Sequence, residues 1–529
     1  MMDRLSGYAR FYALQQVFYT LFYAQRGEYL QFPVHVLLAL WPSRALLVAS
    51  HLSYAGLRLY RMPFLFNSDV WAATLDVSFA MALIATRRKS RSESLALGSD
   101  IVKRQLASFY LGAALWKVNS SFLSPRTSCS SILFIQLADR FVPKAPAALF
   151  SFLGLAAPVL TILVEFFIGV LLQVAVRWGV ALGLLFHFAI ALTPCPNCAG
   201  PFCVMLATRY FLLLTGEAET AERHALQEPL TLATAAACAA VLGKVCTPNG
   251  KNIYFVDASI PFYAFQSVVV ARTWWITKTE EPKKFRPEKP WGRRLKTSLV
   301  VWGYFYSFGV VALGLGDMAT THMFSNLRVH GAMNHYFLPT GLLFRWFEGA
   351  SPRRNPFAGG TVRVDYTNST FVRSLYPQEW THLHTDAVRE KLRRAGHVGR
   401  QFFPLKSRIF GGRHPGSVPN VPYTVPAIEF RRLVAEAREE RQDFEIVYAR
   451  LTGAVDAHSS LSESWPLVRY TSSDHGCTVV ASGGEVVPCD ADELVFLSPP
   501  NPLLRKFALF YPIPLIPGEA SPEMLCADP

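Results

Sequence analysis

Three long uncharged runs constrain this chain more than any other feature. Twenty uncharged residues lie between Lys144 and Glu165, and twenty more between Lys296 and Asp317. A third run, of 31 residues, separates Arg177 from Arg209 and is interrupted only by His187. A hydrocarbon core of ~30 Å is crossed by about 20 apolar residues in a helix. A chain with such runs, 51% hydrophobic and only 17% charged, is expected to form a multi-pass α-helical membrane bundle. The apolar segments fall at 10–24, 33–57, 64–86, 104–119, 146–174, 178–194, 200–215, 229–245, 260–276 and 297–316.

The net charge of +14 does not point to nucleic acid. Much of the surplus sits in two short loops, one with Arg87, Arg88, Lys89 and Arg91, the other with Lys283, Lys284, Arg286, Lys289, Arg293 and Arg294. Juxtamembrane Lys and Arg set orientation in a bilayer and are expected on the cytoplasmic face. Counting spans places both loops on that side and residues 317–529 on the outer or lumenal side. The expected location is therefore integral to an endomembrane, the endoplasmic reticulum rather than the plasma membrane, with membrane lipid as the surrounding partner.

The chain divides at residue 316. Residues 1–316 carry the apolar segments. Residues 317–529 hold β-like runs at Thr361–Tyr366, Glu445–Leu451, Leu467–Thr471 and Cys477–Ala481, rich in β-branched and aromatic residues. Two amphipathic helical stretches lie near 385–397 and 427–442. This half is expected to form an α+β extramembrane domain. Asn368-Ser369-Thr370 is a glycosylation sequon within it. Cys477, Cys489 and Cys526 also fall in this half, where disulfides form if it faces an oxidising compartment.

Lys117 ends the uncharged stretch Gln105–Trp116. A lysine there either snorkels to the headgroups or is enclosed as a functional group. Glu165 lies well inside an apolar segment, where an unpaired carboxylate is costly. It is expected to be protonated, hydrogen-bonded or paired, with His187 and Lys117 as partners to consider. Asp76 in the 64–86 segment has the same readings. His187 is a proton carrier or a packing residue, and no second metal ligand stands at the required spacing. Cys195-Pro196-Asn197-Cys198 forms a C-x-x-C that suits thiol–disulfide exchange, although no thioredoxin-like unit surrounds it. Asn326, Arg328, Asn334 and His335 crowd into Met323–Pro339, either to hold a ligand or to secure the join between the halves.

Four stretches, taken in order, resemble the HTTM superfamily, the membrane domain found in vitamin K-dependent gamma-glutamyl carboxylases. They are Phe109–Phe122, Val164–Arg177, Phe186-His187 with Pro201–Ala207, and Met323–Pro339. The resemblance implies that Lys117 is a base acting on reduced vitamin K, a quinone-type cofactor, with a glutamate-containing peptide as substrate. Such a lysine works only when neutral, a form favoured by apolar surroundings. The chain departs from the carboxylases at their early Asn-His pair, whose nearest match here is Asn67-Ser68. Three readings follow: base chemistry around Lys117, with Glu165 and His187 in support, on a quinone-like or peptide substrate; a non-catalytic membrane module binding lipid or protein; and a C-x-x-C redox protein.

Overall fold

The computed structural model describes residues 3–23, 28–62, 67–194, 199–217, 225–246, 259–277, 290–317, 320–322, 324–330, 334–347, 350, 355, 357–369, 372, 378–381, 384–403, 422–441, 443–451, 465–473, 476–481, 483–507, 510, 512–515 and 526–527. The first half is helical. Its helices are α1 (Arg4–Tyr23), α2 (Phe32–Leu40), α3 (Arg44–Arg61), α4 (Asn67–Ala85), α5 (Arg91–Trp116), α6 (Ser120–Leu123), α7 (Cys129–Phe141), α8 (Ala147–Val174), α9 (Val176–Ala191), α10 (Gly200–Glu217), α11 (Pro229–Cys246), α12 (Ser259–Thr277) and α13 (Pro290–Tyr304).

The multi-pass membrane bundle expected from hydropathy is not what the helices support. Among the described residues only two helices, spanning Ser68–Ala85 and Ala147–Val174, are long and apolar enough to cross a membrane, and two such helices are weak grounds for a bundle of spans. The reason is local. The 33–57 segment is two helices, not one, because Pro42 has no amide hydrogen to continue a helix and the Ser43 side chain accepts from Leu46 N at 3.2 Å to start α3. That leaves α2 with nine residues, or about 14 Å. Helix α5 opens on a Ser90–Glu93 capping box. It carries Asp100 into a charged cluster with Lys103, Arg104 and Lys296. Helix α10 is buried on every side from Phe202 to Gly216, as a core helix is.

Helix α8 behaves differently. Phe150, Gly154, Ala157, Pro158, Thr161, Glu165, Ile168, Gly169 and Leu172 recur at helical spacing and are buried. The opposite face leaves Phe152, Leu155, Val159, Leu163, Phe166 and Phe167 exposed. Gly169 lets α8 approach α5 closely, since a Cβ there would lie 2.8 Å from Leu111 Cγ. After α13 the backbone takes a π turn over Phe305–Gly309. The Ser307 carbonyl accepts from Trp116 Nε1 at 2.8 Å and Thr321 Oγ1 at 2.7 Å, a use of the backbone that π turns permit.

The second half centres on an antiparallel sheet. Its strands are β1 (Thr361–Thr367), β2 (Gln378–Glu379), β3 (Gln401–Phe403), β4 (Tyr423–Pro426), β5 (Glu445–Leu451), β6 (Leu467–Thr471), β7 (Cys477–Val480), β8 (Val486–Pro488), β9 (Ile513–Pro514) and β10 (Cys526–Ala527). The main sheet runs β8-β7-β6-β5-β1-β4-β9, and β10-β3-β2 form a small second one. The helix Ala427–Glu439 lays Phe430, Leu433, Val434 and Ala437 on Val362, Val364, Ile446 and Tyr448 of the sheet. A disulfide joins Cys477 to Cys489 at the β7–β8 edge, and Cys129 is also disulfide-bonded.

Candidate functional site

Lys117 caps the C-terminal end of α5, the helix that packs most heavily on α8. Its ammonium does not reach outward. Nζ lies 3.0 Å from Glu165 Oε1 and 2.9 Å from Oε2, with the Ala113 carbonyl at 3.4 Å. The side chains are 5% and 11% exposed, which rules out the snorkelling reading. The Phe122 ring centroid stands 5.9 Å from Nζ. Desolvating two charges costs several kcal/mol per ion, recovered only by close mutual contact. Moving the proton from Nζ to the carboxyl turns the ion pair into an amine and a carboxylic acid without exchange with water. The pair can therefore present a neutral amine.

His187 does not join this pair. Its Nε2 is 2.6 Å from Tyr110 Oη, Tyr110 is bonded in turn to Tyr210 Oη, and Cys203 Sγ donates to the His187 carbonyl at 3.2 Å. Tyr110 and Lys117 share α5 but are seven residues apart, or about 10 Å along the axis. The expected trio of Lys117, Glu165 and His187 is thus a pair and a separate centre. Gly183 makes room for the tyrosine: a Cβ there would sit 2.2 Å from Tyr210 Oη.

A third buried centre forms around Asp76, whose partners the sequence reading did not name. Asp76 accepts from Tyr12 Oη at 3.0 Å and Arg209 Nη2 at 2.5 Å, and lies 3.0 Å from His51 Nδ1. Arg209 and Asp76 are each 1% exposed. The clue in the sequence was that Arg209 and Asp76 both fall inside expected apolar segments. Two opposite charges so placed have reason to pair.

The described residues of the Met323–Pro339 stretch serve the join. Asn334 Nδ2 donates to Asn326 O at 2.7 Å and Ser121 Oγ at 3.1 Å, while its Oδ1 accepts from Arg328 N at 2.9 Å. Asn326 Oδ1 accepts from Cys129 N and its Nδ2 donates to Thr127 O. Asn119 Nδ2 donates to Trp116 O and Ser325 O. These side chains satisfy backbone groups that burial would otherwise leave unpaired.

Two histidines bridge the halves in the same way. His335 Nε2 is 2.9 Å from Leu115 O, and its Nδ1 accepts from Phe337 N and Leu338 N. His397 Nε2 is 3.2 Å from Ser128 O, and its Nδ1 accepts from Gly399 N at 2.8 Å. A backbone N–H can only donate, so each Nδ1 is unprotonated and each ring is the neutral Nε2–H form. Burial lowers the pKa of both, to about 4 for His397.

Cys195 and Cys198 lie outside the described residues, so the redox reading gains nothing from the structure. Asn368 is exposed, and its Oδ1 accepts from Glu445 N at 2.7 Å. Among the described residues no three His, Cys, Asp or Glu side chains gather as metal ligands.

Residues 333–506 match a family described as a domain of unknown function (DUF8388). The match covers about a third of the chain, the sheet-bearing half. No curated protein matches the chain. No solved structure matches it.

Proposed function

We propose that this chain performs proton-transfer chemistry on an apolar, quinol-like substrate, with Lys117 as the base and Glu165 as its proton partner. The observation that carries this reading is the enclosed pair, in which both Glu165 oxygens lie within 3.0 Å of one lysine nitrogen. With the proton on Glu165, Lys117 is a neutral amine. It takes the hydroxyl proton of the quinol and becomes an ammonium. The quinolate left behind balances the ammonium's charge and is the species that dissolved oxygen oxidises, while Glu165 keeps its proton. The HTTM resemblance supports the same chemistry, with a glutamate-containing peptide as the second substrate.

The surroundings favour a lipid setting. The exposed apolar face of α8, from Phe152 to Phe167, suits acyl chains better than water. The Cys477–Cys489 disulfide fits an oxidising compartment such as the endoplasmic reticulum lumen for the sheet-bearing half.

The test is incorporation of labelled bicarbonate into a glutamate-containing peptide, driven by reduced vitamin K. Wild-type protein should incorporate label and Lys117→Ala should not. A folded wild type that incorporates none removes the carboxylase form of the proposal. Equal incorporation by Lys117→Ala removes Lys117 as the base.

A further inference from the structure

The centre around Asp76 has more polar capacity than its internal contacts use. Arg209 is buried, and while Nη2 holds Asp76, neither Nε nor Nη1 has a partner. The Tyr8 hydroxyl is fully buried beside the same guanidinium, which donates toward its oxygen, so that among the described residues its own O–H has no acceptor. His51 is fully buried, with Nδ1 on Asp76 and Nε2 unpartnered. Burying polar groups without partners costs about 1–3 kcal/mol each.

The rings assemble these groups in one place. Tyr12 lies 4.0 Å from His51 between centroids, Tyr8 stacks on His51 at 6.2 Å, and the Arg209 guanidinium stands 5.4 Å from the Tyr12 ring. Phe79 closes the group, 5.1 Å from both Tyr8 and His51. Donors outnumber acceptors here, and the walls are aromatic.

We propose that this centre binds a small monovalent anion of halide size, and that binding takes up one proton on His51. The charges require the coupling. Asp76 and Arg209 cancel, so an anion added alone would leave one uncompensated buried negative charge. Protonating His51 restores neutrality. It also changes Nε2 from a lone pair, which repels an anion, to an N–H, which binds it. The ionisable groups facing His51 are Tyr8 and Tyr12 from α1, His35 from α2, Asp76 from α4 and Arg209 from α10. Of these only Asp76 carries a negative charge, so it is the group that supports the imidazolium. This site is separate from the Lys117–Glu165 pair and does not rest on the proposal made for it.

The experiment titrates the full chain with sodium bromide against sodium gluconate at equal ionic strength and follows thermal unfolding. Bromide should raise the midpoint saturably, and its apparent Kd should tighten about tenfold for each unit the pH falls while His51 is neutral in the free protein. Tyr8→Phe keeps the ring and should weaken binding several-fold. His51→Gln should remove the pH dependence. Equal midpoints in bromide and gluconate at pH 6 would mean that ordered water alone satisfies the donors, and would overturn the proposal. So would bromide binding that neither substitution alters. If Arg209→Gln fails to fold, the Tyr8 and His51 variants still decide.

Discussion

Glu165→Gln should destabilise the protein by an amount that shrinks as pH rises. The substitution leaves Lys117 buried with a neutral amide and the Ala113 carbonyl as its polar neighbours. Breaking a buried pair by removing one partner typically costs about 3–5 kcal/mol. A ceiling follows from titration. A lysine of ordinary pKa, about 10.4, escapes burial as a charge by giving up its proton, which at pH 7 costs about 4.6 kcal/mol at 1.36 kcal/mol per pH unit. That ceiling drops to about 2 kcal/mol at pH 9. Lys117→Met leaves the carboxyl instead. With an ordinary pKa of about 4.3 its ceiling is about 3.7 kcal/mol at pH 7 and falls as pH is lowered. The two variants should therefore respond to pH in opposite directions. Replacing both, as Lys117→Met with Glu165→Leu, should restore most of the loss. The assay is denaturant unfolding of the solubilised full chain from pH 5 to 9. Single variants within 0.5 kcal/mol of wild type, or moving in the same direction with pH, would refute the claim that the pair is enclosed and mutually dependent.

Other substitutions probe the surrounding frame. Gly183→Ala places a methyl 2.2 Å from Tyr210 Oη; it should displace Tyr210 from Tyr110 and cost about 1–3 kcal/mol by overpacking, read by unfolding and by tyrosine absorbance. The neutral His397 clamp predicts acid sensitivity, because its pKa is lowered from 6.5 to about 4. Its stabilisation is complete above pH 6.5 and declines as pH falls toward 4, by roughly 3 kcal/mol in all. His397→Gln should flatten that part of the pH–stability curve. Reducing the Cys477–Cys489 bridge, or replacing both cysteines by serine, should cost about 3 kcal/mol for a loop of this length, measured as lower protease resistance of the sheet-bearing half.

The sheet-bearing half was the more legible part of the sequence. The runs read as strands at Thr361, Glu445, Leu467 and Cys477 are β1, β5, β6 and β7, because alternation of side chains is a local property. The helix Ala427–Glu439 was visible for the same reason, through its apolar stripe. Pairing order was not: β1 lies between β4 and β5, and nothing local specifies that. In the helical half, hydropathy recorded apolar content but not what covers it. The α10 sequence is apolar because it is core, whereas α8 is apolar and half uncovered. The multi-pass reading failed at that distinction. Lys117 and Glu165 were each conspicuous as charges beside apolar runs. His187 was an equally good partner on sequence, and only the packing of α5 on α8 selects Lys117. The residues at the join looked like ligand holders because buried Asn and His side chains are rare, yet their partners are mostly backbone groups.

The most direct measurement of the central claim is quinol-dependent oxygen consumption by the purified full chain, comparing wild type with Lys117→Ala and Glu165→Gln. The account predicts consumption by the wild type, none above background in folded Lys117→Ala, and a reduced rate in Glu165→Gln. Consumption by Lys117→Ala at the wild-type rate, or none by a folded wild type, would contradict it.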